Sequence, residues 1–252
     1  MRPHSIIRIP ILPFGLVNAH LVTGDDGCVL VDAGLPGTES KVEQVLKQHG
    51  YTFQDIRLIV VTHAHVDHAG NAATLRELTK APIVAHVEDA PHFTRNVPMT
   101  YCPTGWFGRL FLKTKLIHEP YKQFVLDVLL SQNETFDLRR FGVSGAITHT
   151  PGHTKGSISV SVQTKDVMVG DLLASGILLG GLVRTQHAKR PPFEDDPYTV
   201  GLALQRLLDA GMERFYMGHG GPLVAGEVQR HVQVLLGMKE REAHGSRCEA
   251  AW

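Results

Sequence analysis

LIVVTHAHVDHAG, residues 58–70, decides how the rest of the chain is read. Its first four residues are apolar, and a short continuous apolar run suits a strand buried on both faces. The run delivers the chain directly into His63, His65, Asp67 and His68. Alternate residues of a tight loop after a strand can converge on one point, so His63 and His65 suit a single metal ion. Asp67 and His68 can turn toward a neighbouring ion. At this chain's own His and Asp frequencies, the pattern arises by chance in roughly one such sequence in a few hundred.

Three further candidates lie downstream, each at the end of a predicted strand. His153 falls in TPGHT (150–154), Asp171 follows Val169 and Gly170, and His219 follows Met217 and Gly218. Glycine beside each candidate lets backbone approach a metal closely. Loops at one end of a sheet can bring together residues far apart in sequence. Imidazole and carboxylate donors without cysteine make zinc the leading metal, with iron or manganese as alternatives.

The surrounding pattern is α/β. Strands are predicted at 5–11, 18–23 and 28–32, the last two joined by a turn at 24–27. A helix follows, with Val42, Val45 and Leu46 on one face and Gly50 as its C-terminal cap. Residues 71–80 read as a helix and 83–85 as a strand. From 91 to 135 the regular pattern weakens and aromatic residues gather: Phe93, Tyr101, Trp106, Phe107, Phe111, Tyr121 and Phe124. This stretch reads as a partly helical lid insertion over the site. The competing reading is an apolar cluster without catalytic meaning. Strands return at 146–148, 157–162 and 167–169. A Gly- and Pro-rich loop at 172–195 leads to a helix with Asp196 as N-cap, Pro197 at its first position and Leu204, Leu207 and Leu208 toward the core. A last strand is expected at 215–217, and a frayed tail after Met238.

Composition narrows the partners. A chain of 252 residues suits one α/β domain, and 25 Lys+Arg against 25 Asp+Glu give no net field for nucleic acid or an anionic membrane. No apolar run is long enough to span a bilayer. The N-terminal stretch, interrupted by Pro10 and Pro13, reads as a strand and not as a signal peptide, so the expected location is cytoplasmic. Cys28, Cys102 and Cys248 are too few and too scattered for a disulfide framework or a thiolate zinc site. Among the other histidines, His20, His86 and His149 are expected to be hydrogen-bonded structural residues. His4, His49, His231 and His244 are expected to face solvent, and His92, His118 and His187 to lie in the lids, within reach of substrate.

THAHVDHAG, TPGHT, VGD and GHGG, in this order and with Val31-Asp32-Ala33-Gly34 before them, resemble the metallo-β-lactamase superfamily from about Ile6 to Leu223. The resemblance implies a four-layer αββα sandwich with the metals at one edge between two sheets. It assigns His63, His65 and His153 to one zinc ion and Asp67, His68 and His219 to a second, with Asp171 bridging. Asp32 would orient a metal-binding loop. The implied function is hydrolysis of a small-molecule ester, thioester or lactone by a hydroxide between the ions, with Asp67 accepting or relaying a proton. The nearest branch is that of glyoxalase II and the lactonases. Asp171 departs from the class B1 and B2 β-lactamases, which carry cysteine there. Ala174 stands where acyl-homoserine lactonases carry a catalytic tyrosine, a role Tyr101 or Tyr198 would have to fill. Glyoxalase II has a basic helical C-terminal region, whereas little chain here follows His219. Two alternatives come from other classes: a mononuclear iron persulfide dioxygenase and a non-catalytic metal-binding member.

Overall fold

The computed structural model describes residues 5–94, 97, 99–114, 117, 119–131, 134–177, 179–181, 183–238 and 248–251. Strands β1 (Ile6–Leu12), β2 (Val17–Thr23), β3 (Cys28–Val31), β4 (Ile56–Val60), β5 (Ile83–His86) and, beyond a short β6 (Met99–Tyr101), β7 (Val128–Leu130) appear in the first half. All but β6 form one six-stranded sheet in the order β1-β2-β3-β4-β5-β7. The second half contributes β8 (Phe136–Asp137), β9 (Gly145–His149), β10 (Ile158–Val162), β11 (Asp166–Met168), β12 (Ala174–Ser175), β13 (Ala188–Lys189), β14 (Arg214–Tyr216) and β15 (Leu223–Val224). Its six-stranded sheet runs β15-β14-β11-β10-β9-β8, and β12 pairs with β13 as a separate hairpin. The main helices are α1 (Glu39–Gln48), α2 (Val66–Ala69), α3 (Ala72–Thr79), α4 (Ala90–Phe93), α5 (Gly105–Phe111), α6 (Pro197–Asp209) and α7 (Ala225–Gly237).

Period-2 alternation turns these elements into four layers. In β3, Cys28 and Leu30 join the cluster that includes Val42, Val45 and Leu46 of α1 and Leu75 of α3. Val29 and Val31 point the other way, into a cluster shared with Val160, Val162 and Met168 of the second sheet. On that sheet's outer side Val167 and Phe215 pack with Val200, Ala203 and Leu204 of α6 and Val228, Val232 and Leu235 of α7. The order is helices, sheet, sheet, helices, as expected. Asp196 caps α6 by accepting from the Tyr198 and Thr199 N–H groups.

Four expectations are corrected. Helix α7 follows His219, and its Val228, Val232 and Leu235 stripe buries an apolar face of the second sheet. His231, expected in solvent, is buried within α7 at 4% exposure. Cys102 and Cys248 form a disulfide across 146 residues, and a strand β16 (Glu249–Ala251) pairs antiparallel with β6. The spacing of two lone cysteines carries no information about such a contact. Within 91–135, Phe93 and Phe124 belong to the main core, with Tyr121 packed against it, and β7 extends the first sheet. His4, His118, His244 and the segment 239–247 lie outside the described residues.

Candidate metal centre

All the predicted ligands follow the ends of strands at one edge of the sandwich. Asp32 comes after β3, His63 to His68 after β4, His153 after β9, Asp171 after β11 and His219 after β14. Because β3, β4 and β5 run parallel, as do β11 and β14, their exits open on the same side within each sheet.

The side chains form two groups whose candidate ligand atoms lie within 4.8 Å of one another. His63, His65, His153 and Asp171 make one, and Asp67, His68 and His219 the other. In the first, His65 Nδ1 is 3.1 Å from both His63 Nε2 and His153 Nε2. Nitrogens about 2.0–2.1 Å from a tetrahedral zinc are separated by roughly 3.3 Å, so this spacing fits one ion. In the second, His219 Nε2 is 3.3 Å from Asp67 Oδ2. Asp171 lies between the groups: Oδ2 is 3.0 Å from His219 Nε2 and 3.9 Å from His153 Nε2, and Oδ1 is 3.3 Å from His68 Nε2. His68 Nε2 and Asp171 Oδ1 are buried without a hydrogen-bond partner. Buried polar atoms are seldom left so, and a metal ion would satisfy both.

Protonation agrees with this donor set. Burial, reinforced by neighbouring imidazoles, holds His63 and His65 well below the usual histidine range, so their lone pairs are available. Burial likewise takes His153 to about 4. Burial also disfavours a charge on His68 and His219, but adjacent carboxylates outweigh it, raising His68 well above its ordinary value and His219 to about 10. Asp67 and Asp171 are held below the carboxylate range despite burial, chiefly by those two rings. Three clustered carboxylates (Asp32, Asp67 and Asp171) therefore demand positive charge at this point, which bound divalent ions would supply in place of protons.

A network behind the ligands sets which ring nitrogen faces inward. Asp32 accepts the Thr62 N–H at 2.8 Å, the Thr62 hydroxyl at 3.0 Å and His68 Nδ1–H at 2.8 Å. The Thr62 oxygen in turn lies 3.0 Å from His63 Nδ1. With the Leu16 carbonyl accepting from His219 Nδ1, the Nε2 atoms of His63, His68 and His219 are left for metal. Asp32 holds φ at +65°, a left-handed conformation uncommon outside glycine. Gly218 passes so close that a Cβ there would lie 2.3 Å from His68 Cε1 and 2.5 Å from Asp171 Oδ1.

Two residues of this network carry no signal in the sequence. Asp89, after β5, is buried and accepts from the Ala64 N–H, the Thr154 hydroxyl and the Gly156 N–H, each at 2.9 Å. It ties the His63–His65 loop to the His153 loop. Asn18 donates to carbonyls at Gly15, Met217, Gly218 and Gly220, holding the His219 loop against the turn between β1 and β2. A lone Asp in VEDAP and a lone Asn in a strand form no motif, and only the fold reveals them.

A cavity of about 270 Å³ opens onto the ligands, lined by Leu12, Leu35, Tyr101, Phe111, Ile117 and Phe193 among others. Tyr101 stacks on His65 at 4.9 Å between ring centroids, and its hydroxyl donates to the Ile117 carbonyl. Burial raises its pKa far above the usual phenol value. It is therefore not placed as the lactonase tyrosine, and Tyr198 is not part of the lining. His92 bonds the Val97 carbonyl and is likewise outside this lining. His86 and His149 stack on each other at 3.8 Å, and neither is part of this lining.

A fold of two facing sheets with His and Asp clusters at their shared edge defines a metal-binding α/β protein. The model of the metallo-β-lactamase superfamily matches residues 12–219, and the chain belongs to that superfamily. A probable metallo-hydrolase of Methanocaldococcus jannaschii is 29% identical over 160 residues, covering 64% of this chain and 69% of that protein. An N-acyl homoserine lactonase of a Bacillus species is 26% identical over 196 residues, covering 66% and 67%. Among solved structures, a metallo-β-lactamase family protein of Thermus thermophilus superposes with a TM-score of 0.64 at 23% identity, covering 97% of this chain and 82% of the other. At that identity the likeness speaks for the fold alone.

Proposed function

We propose that the protein is a two-zinc hydrolase of small-molecule esters or thioesters, with His63, His65 and His153 holding one ion, Asp67, His68 and His219 the other, and Asp171 shared. The observation that carries this reading is the position of Asp171 beside an apolar cavity, its Oδ2 lying between His219 Nε2 at 3.0 Å and His153 Nε2 at 3.9 Å, one from each ligand group. When bound, such ions lower the pKa of water to about 7 and polarise a carbonyl. The chain's own residues do the rest. Asp67, with 23% of its side chain exposed and its Oδ2 near His219, is the carboxylate placed to accept or relay a proton at the cavity wall. Tyr101, Phe111, Ile117 and Phe193 keep bulk water from the reacting carbonyl and take up an apolar acyl group, so the 101–117 segment acts as the lid. A lactone substrate is less favoured, because Tyr101 has its hydroxyl engaged elsewhere.

Metal analysis of protein purified without added metal, joined to an ester, thioester and lactone screen, tests the proposal. Two zinc ions per chain and chelator-sensitive hydrolysis are expected. One iron per chain would overturn it in favour of persulfide oxidation. Asp171→Ala should lower the metal content to one ion or none and cost far more turnover than Asp166→Ala, since Asp166 is engaged with Arg214 away from the centre. Retention of two zinc ions and normal turnover in Asp171→Ala would sink the shared-ligand assignment. No helix among the described residues is long and apolar enough to cross a membrane. We place the protein in the cytoplasm, where reducing conditions would open the Cys102–Cys248 disulfide of the structure to two thiols. Alkylation of freshly lysed cells reads that state, and a quantitatively oxidised pair would move the protein to an oxidising compartment.

A further inference from the structure

We infer that the substrate carries an anionic group beyond its scissile bond, received by a basic cavity beside the metal centre. This rests on the hydrolase reading and names the class of substrate it serves. The cavity has a volume of about 670 Å³, ample for a small-molecule moiety. Its wall combines residues of α5, described residues between Gly176 and Pro192, and Arg230 of α7. Arg184, Lys189, Arg190 and Arg230 line it, and no described Asp or Glu does. In a chain with 25 cationic and 25 acidic residues, four cations on one wall without an acid is a local concentration of charge.

The cations differ in what holds them. Arg230 pairs with Glu227 at 2.6 Å and Arg190 with Glu194 at 2.5 Å, outside the lining, which fixes those guanidiniums in place. Arg184 and Lys189 form no ion pair among the described residues. Lys189 is half-buried on β13, and burial lowers its pKa, so an anion in the cavity would relieve a desolvated ammonium. The wall is also fastened together. The Ala188 N–H donates to Glu227 at 2.7 Å and Arg230 donates to the Ala188 carbonyl, pinning the β13 hairpin to α7. Trp106, 74% exposed, adds an aromatic face at the rim.

Phe107, Leu179 and Pro192 line both this cavity and the smaller one on the ligands, so the two adjoin. A substrate spanning them would place its acyl part in the apolar end, its carbonyl at the metals and a charged leaving group among the cations. For a thioester, water's oxygen forms the new bond to the acyl carbon and the carbon–sulfur bond breaks. One proton of the water goes to the departing sulfur, giving a carboxylic acid and a thiol with no redox change. Phosphate and carboxylate are the two anions such cations recognise, and the probes below separate them.

The experiment uses the zinc-loaded protein and one acyl group on three thiols: coenzyme A, which bears phosphates, glutathione, which bears carboxylates, and neutral N-acetylcysteamine. We expect one charged thioester to exceed the neutral one at least tenfold in kcat/KM, an advantage that shrinks with added salt. In Arg184→Glu/Lys189→Glu that advantage should collapse through KM, while the neutral thioester and the zinc content stay unchanged. The single changes Arg184→Ala and Lys189→Met serve if the double variant does not fold. Binding of the matching non-hydrolysable S-alkyl thioethers is measured by calorimetry alongside. Charged thioethers that bind, and bind tenfold more weakly to the variant, uphold the basic cavity even if no thioester is cleaved, in which case the hydrolase reading alone falls. Equal kinetics on all three thioesters, or losses in the variant that fall equally on neutral and charged compounds, overturn the anionic substrate and leave the hydrolase reading standing.

Discussion

Replacing Asp89 tests whether the metal centre is held in place by groups that touch no metal. Asp89 accepts three hydrogen bonds at 2.9 Å, two of them from the backbone N–H groups of Ala64 and Gly156, and is itself 2% exposed. In Asp89→Ala both N–H groups are stranded in the interior, at about 1–3 kcal/mol each. A loss of roughly 2–6 kcal/mol against a typical domain stability of about 5–15 kcal/mol would populate unfolded protein, so the sharper variant is Asp89→Asn. It keeps the volume but turns an NH2 group toward one of those backbone donors. Since this carboxylate fixes both the His63–His65 loop and the His153 loop, zinc affinity should fall about 10- to 100-fold, the usual effect of losing a ligand's supporting hydrogen bond. Competition against a chromophoric chelator reads the affinity, and urea unfolding of metal-free protein reads the stability separately. Asp127→Asn is the control. Its carboxylate also accepts a backbone N–H, from Ile83 at 2.9 Å, but serves no ligand loop, so it should cost stability and leave zinc affinity unchanged. Asp89→Asn protein with wild-type zinc affinity, or a loss no larger than that of Asp127→Asn, would refute the reasoning.

Gly218→Ala should cost most of the bound metal and activity, because the added methyl meets His68 at 2.3 Å; metal content near wild type would mean the His219 loop can give way. Phe193→Ala and Phe111→Ala should open the apolar end of the cavity and raise KM for long acyl chains more than for acetyl, with zinc content constant; uniform effects across chain lengths would argue against an acyl-binding role. His231 supplies a pH signature: burial foremost lowers its pKa to about 4, against about 6.5 when unfolded. Between these values the unfolded chain binds more protons, so its contribution is complete above pH 6.5 and declines as pH falls toward 4, by about 1.4 kcal/mol per unit. His231→Leu should flatten that part of the stability profile in urea titrations at pH 7, 6 and 5, and a parallel profile would show that the ring is not buried neutral.

The seven ligand candidates are legible in the sequence because each stands near a strand end and within a short motif, both local signals. The sandwich is legible through the family resemblance that those motifs carry, since the apolar runs of β3 and β4 mark buried strands without assigning their residues to faces. What escapes is non-local. Asp89 acts on partners 25, 65 and 67 positions away, and Asn18 on carbonyls up to 202 positions away. The Cys102–Cys248 contact has the same character. Helix α7 is a different kind of omission. Its Val228, Val232 and Leu235 recur at helical spacing, so its signal is local and lies in the chain itself, masked only by the polar residues that follow.

The order β3-β4-β5 explains why the metal loop can be so rich in polar side chains and still hold one shape. The loop after β4 has no regular pairing of its own, yet its Thr62 N–H is accepted by Asp32 from the end of β3 and its Ala64 N–H by Asp89 from just beyond β5. Two carboxylates on the neighbouring parallel strands thus clamp the loop from both sides. Each also has a second role, since Asp32 sets the His68 tautomer and Asp89 reaches across to Thr154 and Gly156 beside the second sheet. An aspartate suits both positions, because its short side chain loses little freedom and two oxygens can serve two loops at once. The geometry of the ligand candidates is therefore anchored in the two sheets, and the side chains that line the cavity can vary without rebuilding it.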